Sequence, residues 1–253
     1  MTREKYNSDA EYITAMMKKF KLVDIREQYP DIIQEAESEH LTYEQFLQRL
    51  LGVEEDGKWN RKTERLRHEA EFDGEKYLED IDYSFNHSLD KSKITELGTL
   101  RFLESNENII IIGPPGVGKT MIAKGIGVRA CQAGIPVLFT NAKDLVDKLL
   151  EAMKAGRLRQ VLNDLDKIPL LILDELSYIR MDHVMESLFF QVVRQRYEKN
   201  SIIITTNLPL GRWDELFTGQ LAATATLDRL VHHCHVLSIT GDSYRVKGPK
   251  LTQ

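Results

Sequence analysis

The sequence has no apolar run long enough to cross a membrane. Its longest, Asn108 to Ile112 with four isoleucines and Pro169 to Leu173, fall far short of the roughly 18 residues that a spanning helix needs. The opening MTREKYNSDAEY is mixed in charge and carries no apolar stretch of the kind a secretory leader requires, so the cytoplasm is the expected compartment. Cysteine is nearly absent. Cys131 and Cys234, alone among 253 residues, cannot build a disulfide framework, and each reads as a small buried hydrophobe. With only 15 glycines and 7 prolines, collagen-like and low-complexity classes are excluded as well. What is present is ordinary: 42% hydrophobic and 29% charged residues, enough for one large domain or for one with a small appendage.

The net charge of −5 hides an asymmetry. Residues 1–85 hold 13 basic against 21 acidic side chains, a net of −8, while residues 86–253 hold 21 against 18, a net of +3. The second part can face a polyanion, although a net of +3 is also what plain solubility asks for. Ile13, Met16, Met17 and Phe20 recur at helical spacing, as do Tyr43, Phe46, Leu47, Leu50 and Leu51, which predicts two amphipathic helices. Thr42 and Gln45 stand in capping-box spacing at the start of the second, with Leu41 and Phe46 as its staple and Gly52 where its end is expected. If 58–72 is helical, Lys58, Arg61, Lys62 and Arg65 form a basic stripe interrupted by Glu64 and Glu69. Such a stripe reads as a solvated face, contact with nucleic acid or a partner being the alternative.

After about residue 90 the rhythm changes. Ile109–Ile112, Val137–Thr140, Leu170–Leu173, Ile202–Thr206 and Val236–Ile239 are short, rich in Ile, Val or Leu, and separated by helical stretches. That alternation predicts an α/β fold, a parallel five-stranded sheet covered on both faces.

Gly113-Pro114-Pro115-Gly116-Val117-Gly118-Lys119-Thr120 fits G-x-x-x-x-G-K-[ST] between a strand and a helix. Its glycines let backbone amides turn around phosphate oxygens at a helix N-terminus, and Met121 continues the loop into that helix. Lys119 then reaches the β and γ phosphates, and the Thr120 hydroxyl is the expected protein ligand to Mg²⁺. Leu170 to Leu173 leads into Asp174 and Glu175: Asp174 suits the Mg²⁺, and Glu175 is placed to deprotonate an attacking water. If the strand Ile202–Thr206 lies between the other two, Asn207 emerges beside the γ phosphate. Lys119, Glu175 and Asn207 together describe an ATPase rather than a phosphate-binding scaffold.

Arg229, ahead of the last strand, is placed to meet a neighbouring subunit's γ phosphate; a surface ion pair is the other reading. Arg245, after that strand, is a candidate for a phosphate contact within its own subunit. Asn141-Ala142-Lys143-Asp144 imitates a guanine-reading motif, but its lysine is displaced by one and it precedes the Asp174 strand, which leaves GTP the weaker choice. His232-His233-Cys234-His235 lacks the usual ligand spacing, and adjacent residues at a helix-to-strand junction are expected to point apart, so zinc is not expected there.

These residues, in this order, resemble the AAA+ ATPases, and within them the IstB-type transposition helpers, relatives of the DnaC-type helicase loaders. The resemblance covers nearly the whole chain: Leu41 to Phe46, the Gly113 to Thr120 loop, Leu173 to Tyr178, Thr206 to Pro209, Leu227 to Leu230 and Gly241 to Arg245. It implies an ATP-dependent homo-oligomer with nucleotide at subunit interfaces, which assembles on duplex DNA, deforms it, and recruits and stimulates a transposase encoded by the same insertion element. It also implies a helical domain at 1–75 for oligomer or partner contacts and an ATPase domain at 76–253 without a full helical lid, Arg245 taking the sensor role of a lid arginine. Lys154, Arg157 and Arg159, after the second strand, are the first candidates for DNA phosphates, a solvated helix face being the alternative. A helicase loader that binds single-stranded DNA and a replicative helicase shares every motif. A P-loop kinase for a small metabolite is a third reading, against which Glu175 and Asn207 argue.

Overall fold

The computed structural model describes residues 6, 8–218 and 220–247, and the chain divides into two compact units, Met1–Arg65 and Leu66–Gln253. In the first unit, α1 (Asp9–Lys19) starts where the Ser8 hydroxyl accepts from the Glu11 amide at 3.2 Å. The start of α3 (Tyr43–Glu69) is the expected capping box: Gln45 N donates to Thr42 Oγ1 at 3.3 Å, and Thr42 N to Gln45 Oε1 at 2.8 Å. One expectation fails here. Gly52 does not end the helix, which runs on to Glu69. A glycine costs a helix only about 1 kcal/mol, and Gly57 further on has a packing role. A Cβ at Gly57 would lie 2.0 Å from the Asp24 carboxyl carbon, so its bare backbone admits the start of α2 (Val23–Ser38). Buried Glu54 then accepts from the amides of Asp24 and Ile25 at 3.1 and 3.3 Å, capping α2 from α3. The helix α2 itself was not foreseen. Pro30 sits inside it, and burial of Ile25 and Ile32 offsets the lost backbone bond.

The border between the units lies at 65/66 rather than the expected 75/76, because Leu66 and Ala70 are buried in the core of the second unit. The carbonyl of Ala70 also accepts from Phe139 N at 2.8 Å. Of the basic stripe, Arg61 pairs with Asp24 at 2.7 Å, Lys58 lies 3.5 Å from Glu54, and Lys62 stands over the Trp59 ring.

The second unit is built on β1 (Asn108–Ile112), β2 (Val137–Asn141), β3 (Leu170–Asp174), β4 (Ser201–Thr206) and β5 (Cys234–Ser238). They form a parallel sheet in the order β2-β3-β4-β1-β5, as the five apolar runs predict. Ahead of β1 lie α4 (Lys91–Leu97) and α5 (Arg101–Glu104), and α6 (Lys119–Gln132) follows it. Between β2 and β3 come α7 (Ala142–Lys154) and α8 (Leu158–Asp166), and α9 (His183–Arg196) lies between β3 and β4. Next to β5, α10 (Gln220–Val231) precedes it and α11 (Tyr244–Lys247) follows.

Alternate strand residues point to opposite faces, so each strand feeds two cores. Ile110, Leu171, Ile202 and Ile204 pack with α7, α8 and α9, whereas Ile109, Ile111, Ile172 and Ile203 pack with α6 and residues 66–102. Each of these side chains is almost wholly buried, a gain of about 1.5–3 kcal/mol apiece. Register aligns Asn141 with Asp174 and Ile112 with both Thr206 and Ser238, which brings the carboxyl ends of all five strands to one edge. Ligands of open α/β sheets bind along that edge.

Both cysteines are inert by placement. Burial pushes the Cys131 thiol up to about 11 and that of Cys234 up to about 12. Native protein at pH 8 is therefore expected to alkylate at least tenfold more slowly than urea-unfolded protein, followed by mass spectrometry; equal rates would contradict this packing.

Candidate active site

The loop between β1 and α6 supplies the anion-binding backbone. Gly116 and Gly118 hold φ of +82° and +101°, left-handed values that L side chains avoid. A Cβ on Gly116 would fall 2.1 Å from Ser243 Oγ, so glycine is also what lets the segment after β5 cross the loop. Tyr244 N donates to Gly116 O at 2.9 Å and secures that crossing. Gly118 caps α6, leaving the first amides of the helix without intrahelical partners and facing the cleft.

Lys119 is 8% exposed, and its ammonium donates to Gly113 O and Pro114 O at 2.8 Å each and to Asn207 Oδ1 at 2.6 Å. Burial pulls its pKa down, while Asp174 and Glu175 oppose that shift. A buried cation balanced by two carboxylates is suited to receive an anion. The Thr120 hydroxyl lies 3.0 Å from both oxygens of Asp174. A hydroxyl beside a carboxylate is a hard-oxygen pair, and it fits Mg²⁺.

Glu175, at φ +59°, leaves β3 on a left-handed residue. Its amide donates to Thr205 Oγ1 at 3.0 Å, and Thr205 Oγ1 donates in turn to Asp174. The Glu175 carboxylate accepts from Asn141 Nδ2 at 3.2 Å. Since β4 does lie between β3 and β1, Asn207 emerges as the topology requires, with its amide donating to Ser177 Oγ at 3.1 Å. Lys119, Thr120, Asp174, Glu175 and Asn207 thus line one cleft of about 770 Å³ together with Pro115 to Val117, Met121 and Arg245.

Several residues here carry no motif. Thr205 and Asn141 each hold an acidic residue of the site, and Asn141 also caps α7 by accepting from Lys143 N at 2.9 Å, which explains its imitation of a guanine motif. Buried Lys124 lines the cleft, pairs with Asp73 and stands 4.7 Å from the Phe139 ring centroid. A lysine on the inner face of an otherwise apolar α6 was the available signal. On the far wall, Asn86 Nδ2 donates to Thr240 O at 2.9 Å, and Phe85 meets Tyr244 edge-on at 4.8 Å.

Arg229 does not line the cleft. Its guanidinium donates to Ala225 O at 2.8 Å and lies over the rings of Phe190 and Tyr197. Lys154 ends α7, Arg157 precedes α8 and Arg159 lies in its first turn, all three exposed and none of them lining the cleft. Among the described residues, no helix is long and apolar enough to cross a membrane.

The family model for IstB-like ATP binding proteins matches residues 15–252. The insertion sequence IS21 ATP-binding protein of Pseudomonas aeruginosa is 38% identical over 93% of this chain and 89% of its own length. The corresponding IS232 protein of Bacillus thuringiensis subsp. berliner is 35% identical over 93% and 94%. Among solved structures, a DNA replication initiation factor superposes with a TM-score of 0.54 at 24% identity, over 66% of this chain and 50% of that one.

Proposed function

Because this chain belongs to the IstB-like ATP-binding family, an AAA+ P-loop fold, we propose that it assembles on duplex DNA in the ATP-bound state and hydrolyses that ATP to reset the assembly, in insertion-sequence transposition. The observation that carries the hydrolase is the convergence of Lys119, Asp174, Glu175 and Asn207 on one cleft at the carboxyl edge of the sheet. Lys119 and the amides of the Gly113–Thr120 loop bind the phosphates. Thr120 and Asp174 would hold Mg²⁺, which when bound would neutralise charge on the phosphates. Asn207 positions the water and Glu175 takes its proton. Arg245 reads the phosphates from its own subunit, and Arg229 stabilises the γ phosphate of a neighbouring one.

Glu175 must let go of Asn141 to act. Replacing Asn141 by Ser keeps an oxygen to cap α7 but is too short to donate to Glu175. Basal ATP turnover without DNA should rise several-fold in Asn141→Ser at unchanged thermal stability, read by phosphate release and melting; an unchanged basal rate would show that this bond restrains nothing.

The family's place in insertion sequences supports a transposase encoded by the same element, a homo-oligomer and a duplex as partners, and the exposed Lys154, Arg157 and Arg159 suit the duplex phosphates. Electron microscopy of the protein with ATP, Mg²⁺ and a duplex several turns long should show ordered assemblies that dissolve as salt rises. A preference for single strands with stable capture of a replicative helicase would overturn this reading in favour of a helicase loader.

A further inference from the structure

The run His232 to His235 does not diverge as a whole. Its last two members do: His235 Nε2 is taken by Glu107 at 2.6 Å, and Cys234 Sγ turns to the His235 carbonyl. The first two converge instead, their ring centroids 4.1 Å apart, because they lie in the turn between α10 and β5 rather than on a regular helix or strand. Glu198, in the turn after α9, joins them, and one ligand atom from each of the three lies within 4.8 Å of the others. All three are exposed and open to an incoming ion.

The backbone beneath them is fixed from one place. Asn106 Nδ2 donates to Glu198 O at 3.2 Å, and Asn108 N donates to His233 O at 2.7 Å. The Asn108 side chain ties the same two junctions again, donating to Leu230 O at 3.2 Å and accepting from Ile202 N at 2.9 Å. The lead-in to β1 therefore holds both turns in register. Tyr197 Oη sits 3.0 Å from His232 Nδ1, which orients that ring and leaves Nε2 as its outward nitrogen. An oxygen partner on the second nitrogen is how proteins commonly orient a ligating histidine.

We propose that Glu198, His232 and His233 form a binding site for a zinc-class divalent ion, separate from the phosphate cleft. Two imidazoles and a carboxylate are a borderline donor set that favours Zn²⁺ over Mg²⁺, with water as the fourth ligand. Donor atoms about 2.0–2.1 Å from a tetrahedral ion stand about 3.3 Å apart. His233 Nε2 and Glu198 Oε1 are 4.0 Å apart here, so small rotations of exposed side chains close the shell. The ion clamps the turn after α9 to the turn after α10.

The full chain, freed of metal by chelation and without nucleotide, tests this with Co²⁺ as a visible probe. An Asp174→Asn background removes the contribution of the cleft. One Co²⁺ per chain should give the intense visible bands of a tetrahedral ion, displaced by one equivalent of Zn²⁺. His232→Ala with His233→Ala should abolish the bands, and Glu198→Gln should weaken binding at least tenfold. Zn²⁺ should also raise the melting temperature of the parent and not that of the double variant. A faint octahedral spectrum, or bands that persist without the two histidines, would overturn the proposal. Neither result touches ATP binding, which is measured separately.

Discussion

Lys119→Ala is expected to lower ATP affinity at least 100-fold, whereas Glu175→Gln should bind ATP as the parent does and turn it over about 10²–10⁴-fold more slowly. The two residues line the same cleft, yet they differ in what they can contribute. Lys119 is a buried ammonium whose burial lowers its pKa, and its three bonds run to two loop carbonyls and to Asn207. An incoming phosphate offers it a full negative charge, and charge-assisted bonds of that kind contribute about 1.5–3 kcal/mol each. Removing it also leaves Gly113 O, Pro114 O and Asn207 Oδ1 without their shared donor, so the loop itself loses its form. Glu175 is exposed and turned toward Asn141, so glutamine can occupy its position, but it cannot accept a proton. Equilibrium titration with a fluorescent ATP analogue and phosphate release separate the two effects. Equal loss of binding in both variants would contradict the roles assigned.

The parts of this site that can be read from the sequence are those whose chemistry needs adjacent residues. A phosphate cradle requires consecutive amides, so Gly113 to Thr120 is one string, and the apolar strand leading into Asp174 is another. The sheet was legible for a related reason: strands buried on both faces tolerate little besides Ile, Leu and Val. What escaped depends on partners far apart in the chain. Gly52 carries the mark of a helix end, but α3 runs past it, and at Gly57 it makes room for Asp24, a contact with no local signature. Nothing local signals that α2 runs through Pro30, because the burial of Ile25 and Ile32 that sustains the helix is tertiary. Thr205 and Asn141 position Asp174 and Glu175 from other strands, and neither could be told from an ordinary strand-end residue. Regular helix or strand geometry turns adjacent side chains such as His232 and His233 apart, and the turn they occupy is not regular.

Arg229→Ala is expected to bind ATP normally and to hydrolyse it about 10³–10⁵-fold more slowly, the range over which an arginine supplied to a γ phosphate acts. Its placement gives the reason. Within its own chain the guanidinium rests on Phe190 and Tyr197, bonded one turn back to Ala225 O, and it is absent from the cleft lining. A residue so placed is expected to contribute to hydrolysis at a neighbour's nucleotide, whereas a purely structural arginine would change melting and leave the rate per folded molecule alone. Mixing separates these possibilities. Neither Arg229→Ala nor Lys119→Ala is expected to be active alone, but a head-to-tail interface that takes its cleft from the first and its arginine from the second has every part. Random assembly of equal amounts makes such interfaces about a quarter of the total, so turnover should recover toward that fraction. Recovery that vanishes on dilution below the assembly threshold would place the arginine between subunits. Absence of rescue at every ratio would return Arg229 to the aromatic shelf on which it lies, and with it the claim that hydrolysis requires a neighbour.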